Sequence, residues 1–149
     1  MGRLKVVFDT SVYLTYLLSP DPAGSAVGHL LAAAANGDFE LLLPIDVIAE
    51  FNTVVRESPR IASRVTRQEA ERLLRVVSGI ATVLPALDEP PPAVCRDPKD
   101  DFLIAVSILH GADFLVTRDR DLLTLDVILD MRIVDPATFS ASTSGEKPG

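Results

Sequence analysis

A chain of 149 residues, 48% apolar and 23% charged, is long enough to bury one substantial core and too apolar to stay disordered. Its net charge of −7 argues against a general nucleic-acid coat protein, whose affinity comes from excess Lys and Arg, but not against a nuclease whose acids gather at a metal site. Cys95 is the only cysteine, which rules out an internal disulfide and fits a reducing cytosol. The N-terminal apolar run is too short for a signal peptide, and no run of about 18 apolar residues marks a membrane span, so a cytoplasmic protein with no membrane partner is expected.

In chain order, Leu4 to Phe8 has the pattern of a strand buried on both faces. Thr10 to Leu18 predicts a short helix stopped by Ser19-Pro20-Asp21-Pro22, and Ser25 to Asn36 an Ala-rich helix ended by Gly37 at the left-handed position beyond it. Phe39 to Leu43 is a second strand, and Pro44 suits the first turn of a helix that runs to about Glu57. Thr66-Arg67-Gln68-Glu69 has the capping-box spacing and opens a helix through about Ser78, followed by a third strand at Ile80 to Leu84. A proline-rich loop (Pro85, Pro90, Pro91, Pro92, Pro98) leads to a helix opened by Asp100 or Asp101 and ended at His110-Gly111. Phe114 to Thr117 is a fourth strand, Arg132 to Val134 a short fifth, and the Ser-rich stretch from Ser140 reads as a frayed tail. The alternation predicts an α/β fold: one domain over residues 1–139, a central parallel sheet of four to five strands flanked by helices, and a disordered tail at 140–149.

Four acids fall where such a fold gathers them. Asp9 follows the first strand, Asp119 follows the fourth, Asp101 opens the helix before it, and Glu50 lies in the helix after the second strand. Ligands of an open parallel sheet bind outside the carboxyl ends of its strands. Each acid also has a purely structural reading: Asp9 and Asp101 as helix N-caps, Asp119 in an Asx-turn, Glu50 on a solvated helix face. Those readings do not predict convergence. Two carboxylates about 4 Å apart repel by roughly 4 kcal/mol at an effective dielectric near 20, so a gathered set calls for protons or a cation. Oxygen-only donors favour Mg²⁺ or Mn²⁺, and the absence of Cys and His at ligand spacing argues against zinc. Ile45, Ile48 and Ala49 are expected to pack the Glu50 helix on the sheet, with Val54 and Val55 continuing that face.

Phe8-Asp9-Thr10-Ser11-Val12, the Glu50 helix, Arg96-Asp97-Pro98-Lys99-Asp100-Asp101-Phe102-Leu103-Ile104-Ala105 and Leu115-Val116-Thr117-Arg118-Asp119-Arg120-Asp121 resemble the ordered motifs of PIN-domain ribonucleases, over most of residues 4–139. The likeness is nearest to the VapC-type toxin components of toxin–antitoxin pairs. The resemblance implies that Asp9, Glu50, Asp101 and Asp119 are the catalytic acids and hold Mg²⁺ or Mn²⁺. Asp101 is preferred to Asp100 because it matches the family's D-x-x-[I/L]-A pattern. Ser11, where the family often has Asn, Asp100, Thr117 and Asp121 are expected in support. The implied reaction is metal-assisted hydrolysis of RNA phosphodiester bonds, leaving a 5′-phosphate and a 3′-hydroxyl. Implied partners are an RNA substrate, a cognate antitoxin that enters the acidic groove, and a second copy of the chain.

Residues 56–75 carry the chain's local basic excess, and Arg60, Arg64 and Arg67 are candidates for RNA contact beside a solvated-helix reading. Two further functions are weighed. A phosphatase with Asp9 as nucleophile would want a second Asp two residues on, where Ser11 stands. An inactive PIN-like module that only binds RNA or protein is disfavoured by the presence of all four acids.

Overall fold

The computed structural model describes residues 3–145, with side chains given as far as residue 142. Its sheet has six strands: β1 (Lys5–Phe8), β2 (Glu40–Pro44), β3 (Thr82–Leu84), β4 (Phe114–Val116), β5 (Val127–Ile128) and β6 (Met131–Val134). Their order is β3-β2-β1-β4-β6-β5, parallel throughout except for the antiparallel β5–β6 pair. Strand β6 is the short fifth strand expected, whereas β5 is an addition that pairs with it as a hairpin, with Asp126 before β5 and Leu129 after it at positive φ. Strand β1 lies between β2 and β4, so the chain's winding reverses there and leaves a crevice at the carboxyl ends of β1 and β4.

The helices are α1 (Thr10–Leu18), α2 (Ala26–Ala35), α3 (Ile45–Glu57), α4 (Pro59–Ala62), α5 (Arg67–Ile80), α6 (Pro98–Leu109), α7 (Arg120–Leu123) and α8 (Pro136–Gly145). Local signals in the sequence start and stop several of them. Ser25 caps α2 by accepting the Gly28 N–H, and Gly37 follows with φ of 86°, accommodating the left-handed turn that a Cβ would strain. Thr66 and Glu69 form the expected reciprocal box at the start of α5. The short helices α4 and α7 are too brief to leave a periodic trace in sequence.

The core runs along both faces of the sheet, with Val6, Val7, Phe8, Leu41, Leu42, Leu43, Leu115 and Val116 all buried. Helices α3 and α8 differ from expectation. The buried face of α3 is Val47 and Phe51, one turn apart, while Ile45 and Ala49 are exposed. The chain also stays helical from Ser140 through Gly145, where a frayed tail was expected; residues 146–149 of that tail lie outside the described residues. Phe139 explains the helix: fully buried, it stacks edge-on against Phe39 at 5.4 Å and packs on Phe114 at 5.0 Å, anchoring a segment whose composition alone favours fraying. Among the described residues, no helix is long and apolar enough to cross a membrane.

Candidate active site

Asp9 leaves β1 and caps α1, its Oδ1 accepting the Thr10 N–H at 2.7 Å. Its Oδ2 accepts two hydroxyls, Thr117 at 2.8 Å and Ser11 at 3.2 Å. Each hydroxyl also accepts from the segment beyond β4: Thr117 Oγ1 from the Asp119 N–H at 3.0 Å, and Ser11 Oγ from the Arg118 N–H at 3.2 Å. Two short hydroxyl bridges thus tie the end of β1 to the end of β4 and fix Asp9 relative to Asp119. Asp119 in turn caps α7 by accepting the Asp121 N–H at 2.9 Å. Glu50 projects from the row one turn beyond Val47 on α3, and its Oε1 accepts the Thr10 hydroxyl at 2.7 Å. The structural readings, Asp9 as a cap and Asp119 in an Asx-turn, hold together with their convergence, because a helix N-terminus at a strand end is where a carboxylate is favoured.

Helix α6 starts earlier than expected. Asp97 is its N-cap, accepting the Lys99 N–H at 3.0 Å, and Pro98 fills the first helical position. This start sets which of the next two acids faces the cleft. Asp100 lines the cleft with Asp9, Glu50 and Asp119. Asp101 does not. It is 7% exposed, and its Oδ1 accepts the N–H groups of Val94 (2.9 Å) and Cys95 (2.7 Å), pinning the end of the proline-rich loop. The expected order of the two neighbours is therefore reversed, because a helix advances about 100° per residue and aims adjacent side chains apart. The Asp97-Pro98 pair, read as N-cap and first position, is the signal in the sequence that gives the correct register.

The electrostatics follow from this grouping. Burial pushes the Asp100 carboxyl up to about 6, helped by the charges of Asp119, Asp97, Asp9 and Glu50. Burial likewise raises Asp9, opposed by the Thr117 hydrogen bond and helped by Glu50's charge. Asp101 goes the other way, held below the usual carboxylate range by the Cys95 and Val94 N–H groups. Among the described residues that line the cleft there is no His or Cys, and the uncharged or anionic oxygens beside the four acids are hydroxyls and carboxylates, so the ligand chemistry and the excess charge fit a hard divalent cation. Among the described residues, no group of three His, Cys, Asp or Glu side chains is yet drawn close enough to hold an ion.

These acids line an open cleft of about 850 Å³. A PIN-domain family model matches residues 5–121, which takes in all four acids and both hydroxyl bridges. The chain belongs to the PIN-domain family. PIN domains are generally metal-dependent nucleases. No curated protein matches the chain.

Two cations line the cleft of this PIN domain, Lys99, whose Nζ lies 3.9 Å from Glu50 Oε2, and Arg118. Neither was singled out in the sequence, where each sits inside a motif dominated by acids. Arg60, Arg64 and Arg67 do not line it. Arg67 borders a separate groove of about 1080 Å³ between α3 and α5, with Arg56, Arg75, Val55 and Leu74, while Arg60 in α4 and Arg64 just after it are exposed. Asp121 is also exposed and acts on the site through its N–H to Asp119.

Proposed function

We propose that this PIN domain is an Mg²⁺- or Mn²⁺-dependent endoribonuclease, and that it is the toxin of a toxin–antitoxin pair. The observation that carries the reading is the convergence of Asp9, Glu50, Asp100 and Asp119 at the β1–β4 crevice, with two of the carboxyls raised by burial and mutual charge. These four would hold the cation, after side-chain rotation brings them inward. When bound, the cation supplies a water of lowered pKa and polarises a phosphate oxygen.

The protein's own groups do the positioning. Thr117 and Ser11 hold the Asp9 carboxylate from two sides, and Thr10 holds Glu50. Lys99 and Arg118 stand at the cleft to meet the scissile phosphate and its neighbour. Water attacks phosphorus in line, the P–O3′ bond breaks, and the products are a 3′-hydroxyl and a 5′-phosphate. Neither histidine lines the cleft, and none is required as base in such a scheme. An antitoxin entering the acidic cleft would have to present cationic groups, and a homodimer would draw on the half-buried Tyr16, Leu17 and Leu18 of α1.

The test is cleavage of a mixed RNA pool with and without Mn²⁺, by wild type, Asp9→Asn and Glu50→Gln. Expected is metal-dependent cleavage by wild type and its severe loss in both variants with folding intact. Wild-type cleavage rates in a correctly folded Glu50→Gln protein would remove Glu50 from the site and break the reading. Growth arrest on expressing wild type, absent with Asp9→Asn, tests the toxin role.

A further inference from the structure

We propose that the groove between α3 and α5 is the docking site for an amphipathic helix of a partner protein, apolar along one face and acidic at its edges. The inference stands apart from the nuclease reading and concerns the opposite side of α3. Along that helix Glu50, Thr53 and Val54 line the acidic cleft, whereas Asn52, Val55 and Arg56 line the groove. One ridge thus divides two depressions of opposite charge. The cleft sets six acids against two cations, Lys99 and Arg118. The groove sets Arg56, Arg67 and Arg75 against a single acid, Glu71. In a chain of net charge −7 this local reversal marks a surface that selects an acidic partner.

Charge alone would suit any anion, but the floor narrows the choice. Val65 and Ala70 are buried at its base, and Val55 and Leu74 are half-buried along it. Phosphates bound at the rim would leave that apolar surface unfilled, whereas the apolar face of a helix covers it. The dimensions agree. A helix about 10–12 Å across fills a groove of about 1080 Å³ with roughly two turns. Arg67 and Arg75 stand on α5 roughly 12 Å apart along its axis. Two acids about seven or eight residues apart on the docked helix meet both, and the apolar side chains between them drop onto the floor. Among the described residues neither Arg67 nor Arg75 forms an ion pair, and Arg56 has only an exposed contact with its neighbour Glu57 at 3.4 Å. The wall is also preformed, since the Thr66–Glu69 capping box fixes the start of α5.

The probe is a displayed library of short helical peptides, randomised along one face and selected on the full-length wild-type protein. Selected helices are expected to carry an apolar face with two acids about seven or eight residues apart, and to bind more weakly as salt rises. A protein carrying both Arg67→Glu and Arg75→Glu should bind them about tenfold or more weakly, because like charges then face each other. Arg72→Glu, beside Glu69 and outside the groove, should bind them as wild type does. Changing the two peptide acids to Lys should restore binding to the double variant and abolish it for wild type. RNA cleavage by the double variant should match wild type, because α3 stands between these arginines and the acids. Selection that yields no helix, helices without the acid pair, or binding indifferent to both arginines overturns the proposal. So does a raised KM for RNA in the double variant, which assigns the arginines to nucleic acid. If the double variant melts early, Arg75→Glu alone, tested with the peptide changed at one acid, decides between these outcomes. None of them depends on whether Glu50→Gln abolishes cleavage, so the groove and the nuclease reading fail separately.

Discussion

On one side of the first turn of α6, Asp100 faces Asp9, Glu50 and Asp119 across the cleft, and burial together with their charges pushes its carboxyl up to about 6. On the other side, Asp101 accepts two backbone N–H groups of the proline-rich loop and is held below the usual carboxylate range. The two residues have the same side chain and adjacent positions, yet one costs folding energy at neutral pH and the other contributes to it. A carboxylate raised by burial among other carboxylates marks a place built to receive something, whereas one held down by two N–H donors is already satisfied.

The sharpest test of this contrast is the pair of isosteric amide substitutions. Asp100→Asn should cut metal-dependent cleavage by about 100-fold or more, the scale of removing one preorganised charged or polar group from a reacting site, and leave the fold intact. Asp101→Asn should act first on stability, lowering Tm by several degrees as the loop at Val94 and Cys95 loosens, with activity falling only as far as the loop shapes the cleft. Cleavage assays beside thermal melts check both. The contrast breaks if Asp101→Asn is the more damaging to kcat at a temperature where both proteins are folded.

Next in size is Thr117→Val. The substitution keeps shape but removes a donor to Asp9 and an acceptor for the Asp119 N–H, both beneath a fully buried side chain. The expected loss is about 1–3 kcal/mol of stability, read from denaturant unfolding, because two buried polar groups lose a partner. Asp9 should also rise further, since the Thr117 hydrogen bond is what opposes its burial. Unchanged stability would mean that water replaces the bridge and that the β1–β4 tie is not rigid.

The acids at strand ends were legible because topology, not local geometry, places them: whichever helices intervene, residues after β1 and β4 meet at the reversal of winding. The choice between Asp100 and Asp101 was not legible from motif spacing, since it depends on where α6 begins, and helix starts shift by one or two residues with capping. Asp97-Pro98 carried that information in a form weaker than the apolar run that follows it. Lys99 and Arg118 were hidden for a related reason, because charge type does not reveal which way a long side chain leans. The helical end at Pro136–Gly145 was hidden because it rests on Phe139 contacting Phe39 and Phe114, residues distant in sequence.

Smaller, and specific in sign, is the pH dependence of stability without divalent ions. An Asp in the unfolded chain titrates near about 3.9, and Asp100 in the fold near about 6. Because the folded value is the higher, its contribution is fully present below about 4 and is lost as pH rises through about 6. Asp101, whose folded value is depressed, behaves oppositely, contributing above about 4 and losing that contribution only in stronger acid. Asp100→Asn should therefore be more stable than wild type at neutral pH, with the advantage vanishing near pH 4. Millimolar Mn²⁺ should recover the same deficit in wild type at neutral pH and do much less for the variant. Parallel pH profiles for the two proteins would show that Asp100 does not feel its neighbours.

The smallest effect belongs to Lys99, the residue just before this pair. Its ammonium lies 3.9 Å from Glu50 with most of the side chain in water, a geometry in which an ion pair contributes less than about 1 kcal/mol. Lys99→Met should hardly move Tm. It removes, however, a positive charge from the carboxylate that a divalent ion would also use. If Glu50 belongs to the cation site, Lys99→Met should lower the Mg²⁺ concentration for half-maximal protection against thermal unfolding by a few-fold, the span expected of about 1 kcal/mol or less. The same substitution should raise KM for RNA, because Lys99 also meets a phosphate, so the two readouts move in opposite senses. A Lys99→Met protein with unaltered Mg²⁺ dependence and a raised KM would confine Lys99 to the substrate and place Glu50 outside the cation's reach.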